Sequence, residues 1–237
     1  QPPLRFYTSF GGDGDEIGFS VKQTVDRQYI VAGSSTSYGS HGITDVYLAK
    51  VDSMGNPIWT HYLGGTGIDV AKSVIQLPDS GFAMVGFTNS KGAGGYDILV
   101  IRTTKDGSVI WEKTWGGEAW EFGNELVLAS DGSLVIVGYT ESFGHGKSDG
   151  VLLKFDLTGN LLLEKFFGGP ENEQLNSLIN TNDGKLVTVG FTESYADIFG
   201  DHYFLKLELN GDTIFSKTFG NPGKSYLNDL VQFPNDD

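Results

Sequence analysis

Apolar and polar positions along this chain fall into short bursts that recur in a fixed order. From residue 64 the order is a mixed burst at 70–77, a nearly continuous apolar one at 82–87, a third at 97–103 and a fourth at 109–114. A continuous apolar run of this length, bounded by turn residues, reads as a strand covered on both faces, and alternation reads as a half-buried one. Helical periodicity is absent throughout, so the stretch 64–115 predicts four strands. The pattern returns at 116–167 and 168–219, a spacing of 52 residues, and at 11–63 with one residue added.

The punctuation agrees with the pattern. Asp79-Ser80-Gly81, Asp131-Gly132 and Asp183-Gly184 separate the first two strands, with Asp26-Arg27-Gln28 as the weakest copy. They predict two-residue hairpins with both central residues at positive φ. Met54-Gly55-Asn56, Asp106-Gly107, Thr158-Gly159-Asn160 and Asn210-Gly211 join the third and fourth strands as further hairpins, with glycine at the left-handed position. The runs 134–137 and 186–189 place the second strand inside each sheet, and Trp59 and Trp111 in the fourth strands are expected in the core. Four antiparallel strands per unit of about 50 residues specify an all-β fold of β-propeller blades. Residues 4–10 take the place of a last strand and 226–233 that of a first strand. The expectation is one domain, 1–237, of four full blades and two halves of a fifth, continuing beyond Asp237 or leaving an open strand edge for a partner.

The recurring signature is Gly-Gly, an acidic residue before the first strand, Asp-Gly, apolar-Val-Gly-x-Thr-x-Ser, Asp-x4-Lys and Gly-Asn-x-x-Trp. It resembles a family of β-propeller repeats of secreted and cell-surface proteins of Bacteroidota-type bacteria. Leu163 and Phe215 depart from it where Trp is expected. The resemblance implies the blade architecture and an extracytoplasmic location, secreted, periplasmic or on the cell surface, and it implies no ligand.

Composition narrows the field. With 39% hydrophobic and 13% aromatic residues the chain has material for a packed interior. Thirty acidic against 16 basic residues give a net charge of −14, which repels phosphate backbones and argues against nucleic acid. Cysteine is absent, which removes disulfides, thiol nucleophiles and Cys-ligated zinc. No apolar run reaches the roughly 18 residues of a membrane helix.

A repeat carries its own control: what recurs in every copy serves the fold, and what breaks the pattern is where function is sought. Asp45, Asp97, Asp149 and Asp201 recur, as do Lys50, Arg102, Lys154 and Lys206 five residues later. An odd separation puts the two on opposite faces of a strand. Each Asp is expected to accept hydrogen bonds from loop amides or from the recurring Ser37, Ser90, Ser142 and Ser194. Glu16, Asp69, Glu121 and Glu173 recur before the first strands and are read as structural too.

Two motif matches fail on context. Gly146-Lys147-Ser148-Asp149-Gly150 fits a nucleophile elbow but leads into a strand instead of a helix, and Asp13-Gly14-Asp15-Glu16 runs into a strand with Thr24 where a calcium loop needs Glu. His41 and His145 occupy one loop position on non-adjacent blades, so no shared metal is expected. Neither a catalytic constellation, a metal nor a cofactor is assigned.

The departures are loop residues. Tyr38, Lys91, Phe143 and Tyr195 share one position between second and third strands, and Trp120 stands where other copies have Asp15, Ile68, Asn172 and Lys224. Aromatics on polar loops anchor a protein partner or stack on sugar rings. The leading expectation is a non-catalytic extracytoplasmic scaffold that binds a protein on one face or at the open strand edge. The alternatives are a lectin-like propeller taking a glycan, and a glycoside-active enzyme with a carboxylate pair among Glu118, Glu141, Glu193 and Asp197.

Overall fold

The structure, a computed structural model, describes residues 9–37, 42–195, 200–220 and 225–233. Their strands form four antiparallel sheets of four, each in sequence order. The first holds β1 (Glu16–Gln23), β2 (Tyr29–Ser35), β3 (Asp45–Val51) and β4 (Pro57–Leu63); the second β5 (Asp69–Gln76), β6 (Phe82–Thr88), β7 (Asp97–Thr103) and β8 (Val109–Trp115). The third holds β9 (Glu121–Leu128), β10 (Leu134–Thr140), β11 (Asp149–Phe155) and β12 (Leu161–Phe167); the fourth β13 (Glu173–Asn180), β14 (Leu186–Thr192), β15 (Asp201–Leu207) and β16 (Thr213–Phe219). These are the blades of a β-propeller fold, and the second strand is interior in each, as its apolar run requires.

Two compact units divide the chain, residues 1–92 with 99–114 and residues 93–98 with 115–237. The core of the first is built from Ile30, Leu48, Val74, Phe82, Met84, Leu99 and Ile101. That of the second is built from Val135, Leu152, Leu175, Leu178, Leu186 and Leu205. Each such side chain contributes about 1.5–3 kcal/mol when fully buried. Trp59 is half-buried at the margin of the first core, its edge on Phe82, and Trp111 is half-buried as well, so neither lies fully inside. The fourth strand is an edge strand of its sheet and is largely exposed, along its whole length in Thr213–Phe219.

The turns differ from the two-residue form. Leu77 N donates to Gly81 O and Ser80 N to Leu77 O, with equivalent pairs at Thr24, Ala129 and Thr181. Each loop thus has three residues and a single left-handed position, held by Arg27, Ser80, Gly132 and Gly184. This is a type I turn closed by a left-handed residue, in which the Asp precedes the strained site.

Each first strand carries a β-bulge, at Phe19, Lys72, Asn124 and Asn176, where the register with the second strand shifts. The glycine of the Val-Gly-x-Thr motif answers it. A methyl group on Gly33, Gly86, Gly138 or Gly190 would overlap the carbonyl oxygen of Ile17, Val70, Phe122 or Gln174, so only glycine fits opposite the bulge.

At the hairpin end, Lys50, Arg102, Lys154 and Lys206 pair with Asp26, Asp79, Asp131 and Asp183 of the first turn in their own blades. The recurring cation is thereby assigned to the turn. Residues 225–233 form no strand. They lie along the fourth blade through Asn176 Nδ2 donating to Leu227 O (2.9 Å), Leu227 N donating to Gly190 O (3.3 Å) and Tyr226 stacked on Phe191. The first strand expected at 226–233 is therefore a docked segment, since none of the described residues offers it a second strand to pair with. Positions 4–8 of the expected last strand fall outside the described residues, and 9–10 are not strand.

Candidate functional site

Antiparallel order puts the start of the first and third strands, and the end of the second and fourth, at one end of each blade. The loops between second and third strands and the Gly-Gly connectors share that end. Glu121 is fully buried there and accepts from Thr140 Oγ1 (3.0 Å), Ser142 N (3.1 Å) and Gly117 N (2.7 Å). Glu173 repeats the arrangement with Thr192 Oγ1 (2.8 Å), Ser194 N (3.0 Å) and Gly169 N (2.7 Å). Asp69 accepts from Gly65 N and Ser90 Oγ, and Glu16 from the hydroxyls of Ser35 and Ser37. The recurring serines thus serve this series. Asp97 instead accepts from Ala93 N (3.1 Å), and Asp149 from His145 N (3.0 Å) and Gly146 N (2.9 Å), so the loop amides are the partners of the third-strand aspartates. Asp45, Asp97 and Asp149 are buried, and Asp201 is partly exposed. A methyl group on Gly64, Gly116 or Gly168 would overlap a carboxylate of each series at once, which is the reason for the first glycine of the pair.

Against this regular background one position stands out. The residue after the second strand is Thr36, Asn89, Glu141 or Glu193 in the four blades. Thr36 Oγ1 accepts from Asp15 N (2.8 Å), Asn89 Oδ1 from Ile68 N (2.5 Å) and Glu193 Oε2 from Asn172 Nδ2 (2.5 Å), each tying the loop to its connector. In the third blade the connector residue is Trp120, whose carbonyl accepts Glu141 N (2.9 Å) but whose indole offers no donor to the carboxyl. Among the described residues the Glu141 carboxyl accepts no hydrogen bond. The side chain is exposed, yet partial desolvation against the blade and, after it, the nearby charge of Glu121 push its pKa up from the ordinary carboxylate value.

Aromatics flank it. Trp120 is 51% exposed with its edge toward Tyr96, and Phe143, two residues beyond Glu141, is 42% exposed and leans on Trp115 and Phe166 with ring centroids 5.1 and 6.1 Å away. Trp115 Nε1 donates to Glu164 Oε2 (3.1 Å), which fixes that indole. The equivalents of Phe143 are bound to their own surroundings: Lys91 pairs with Glu112, and Tyr195 Oη donates to Gly168 O (2.8 Å) while its ring rests on Tyr203. Tyr38, His41 and Asp197 lie outside the described residues. Glu118 is exposed on the connector two residues before Trp120.

Of the four carboxylates named from the sequence, Glu141 and Glu193 are copies of one position, 52 residues apart, and of these two Glu141 is the one without a donor among the described residues. Lining up the four blades at this position is the signal that singles it out. Among the described residues no group of three or more His, Cys, Asp or Glu side chains is placed to hold a metal, and no helix is long and apolar enough to cross a membrane.

No protein-family model matches the chain. It is 22% identical to regulatory protein FlaEY of Caulobacter vibrioides over 97% of its own length, and spans about a quarter of that protein (27%). Among solved structures it is similar to a protein of unknown function from Bacteroides caccae (TM-score 0.56, 12% identity, 93% of this chain and 68% of that one). It is also similar to the α-L-arabinanase of Penicillium chrysogenum (0.58, 11%, 84% and 65%) and the endo-arabinase of Bacteroides thetaiotaomicron (0.50, 11%, 92% and 82%). At these identities the likeness is one of fold. Those neighbours of named activity are enzymes, which overturns the expectation of a non-catalytic, protein-binding scaffold and of a chain without enzymatic activity.

Proposed function

We infer that the chain is a glycoside-active propeller whose working end is the loop-bearing end of the third blade. The observation that carries this reading is Glu141, the one copy of its position with no structural partner, raised in pKa and flanked by the half-exposed rings of Trp120 and Phe143. A carboxyl whose pKa is raised holds its proton more readily than an ordinary one, which favours protonation of a glycosidic oxygen, and aromatic faces are what hold a sugar ring beside it. Glu118 is assigned as the second carboxylate, the base or nucleophile that such hydrolysis needs.

The arabinanase neighbours make arabinan the first substrate to try, and polysaccharide substrates accord with the extracytoplasmic placement that the bacterial surface repeats imply. The test is release of reducing ends from arabinan and a panel of plant and bacterial polysaccharides by the wild type, E141Q and E118Q. Cleavage that drops 10²–10⁴-fold in E141Q supports the reading; cleavage that is indifferent to Glu141, or absent across the panel, ends it.

A further inference from the structure

The bulge residue of the first strand is Asn in the third and fourth blades. Asn124 Nδ2 donates to Leu175 O (2.9 Å) and Asn176 Nδ2 to Leu227 O (2.9 Å), so the first reaches forward to β13 and the second to the docked segment 225–233, and each is spent there. The first and second blades break the rule with Phe19 and Lys72. β1 packs against β5, and Lys72 turns back so that its Nζ sits 4.0 Å above the centre of the Phe19 ring. A bulge re-aims its side chain relative to the regular strand, and here two re-aimed side chains meet.

We propose that Lys72, held in place by Phe19, is an anion-binding residue that takes the carboxylate of an acidic sugar. The ring fixes the ammonium electrostatically but accepts none of its three N–H groups in a conventional hydrogen bond. Among the described residues no carboxylate pairs with Lys72 and no carbonyl accepts from it, although the chain carries 30 acidic residues. Burial lowers the pKa of this lysine, the direction expected of an ammonium held without a counter-charge. The aromatic partner is itself 42% exposed, leaving apolar surface beside the charge. An anion with an apolar flank is the matching ligand, and within the carbohydrate-directed reading above, on which the sugar part of this inference rests, that is a uronic acid residue.

The test is isothermal titration of trigalacturonate and of neutral arabinotriose into the wild type, K72M and K72R, each checked for an unchanged circular dichroism spectrum. The expected result is binding of trigalacturonate that weakens at least tenfold in K72M, is kept within about threefold in K72R and fades with added salt, while arabinotriose responds to neither substitution. Equal binding of trigalacturonate by K72M and wild type, or none by the wild type, overturns the proposal. Lys72-dependent binding by a protein that cleaves no glycoside removes the role of Glu141 and keeps that of Lys72; cleavage of arabinan without any Lys72-dependent binding does the reverse.

Discussion

The two ends of each blade handle charge in opposite ways. At the hairpin end a surface carboxylate meets a cation: Asp131 is 41% exposed and pairs with Lys154 Nζ at 2.6 Å. At the loop end the carboxylates of Glu121 and Glu173 are fully buried and meet only amides and hydroxyls. In these pairs the cation is largely buried but the carboxylate is half-exposed, so water screens them to about 1 kcal/mol, whereas buried carboxylates depend on every donor because the alternative is an unpaired polar group in a dry interior. The same contrast explains why a departure at the loop end is informative. Where the other described copies of its position tie the loop to the connector, Glu141, an exposed side chain without a donor, is the copy that departs.

The sharpest way to break the comparison is at Glu173. Its removal in E173A strands Thr192 Oγ1, Ser194 N and Gly169 N, at about 1–3 kcal/mol for each orphaned group, and we expect a total loss of about 3–5 kcal/mol in urea denaturation. A loss under 1 kcal/mol would show that the loop end is not organised by its carboxylates. E141Q is expected to do the opposite, lowering glycoside cleavage 10²–10⁴-fold while leaving the denaturation midpoint within experimental error. If the midpoint falls as in E173A, Glu141 is another structural member of the series.

Smaller effects belong to the hairpin end. Ser80 sits at a φ of 69° where two other blades have glycine, and S80G is expected to stabilise by about 0.5–1 kcal/mol by relieving left-handed strain. A destabilised S80G would mean that the serine side chain makes the turn. Least of all is the Asp131–Lys154 pair. Burial works to raise the Asp131 carboxyl, but hydrogen bonds from Lys154 and Ser133 outweigh it and hold the pKa at about 2, below the ordinary 3.8. Because the folded value is the lower one, the contribution of the pair is complete above about pH 4 and is lost as pH falls through about 2. Comparing D131N with wild type across that range should show a gap of at most about 1 kcal/mol that closes in acid, and a gap that widens instead would contradict the sign.

Much of the fold was legible because strand length, alternation and turn residues are local properties, and four copies of the pattern multiplied a weak signal. The three-residue turns were misjudged because Asp-Gly is compatible with more than one loop length, and the choice depends on which backbone amides close the hairpin. Glu141 was visible as a candidate. Its separation from Glu193 was not, because the difference lies in the connector partner, Asn172 for Glu193 but Trp120 for Glu141, and that partner stands 21 residues earlier in the chain. The bulge at Lys72 left no trace in the hydrophobic pattern, since one extra residue on one strand shifts a register without changing composition.

By itself the amino-acid sequence determined the blade: its four strands, its period of 52 residues, its interior second strand and the glycines that punctuate it, all of which follow from steric and solvation preferences acting over a few neighbours. Only the tertiary structure decided which recurring polar residues serve each other, why Gly138 faces the Phe122 carbonyl, and which copy of a repeated position has nothing to do for the fold. Those are questions of partners 16 to 51 residues apart. They are settled by the distances at which hydrogen bonds and van der Waals overlap operate, and a linear pattern does not contain them.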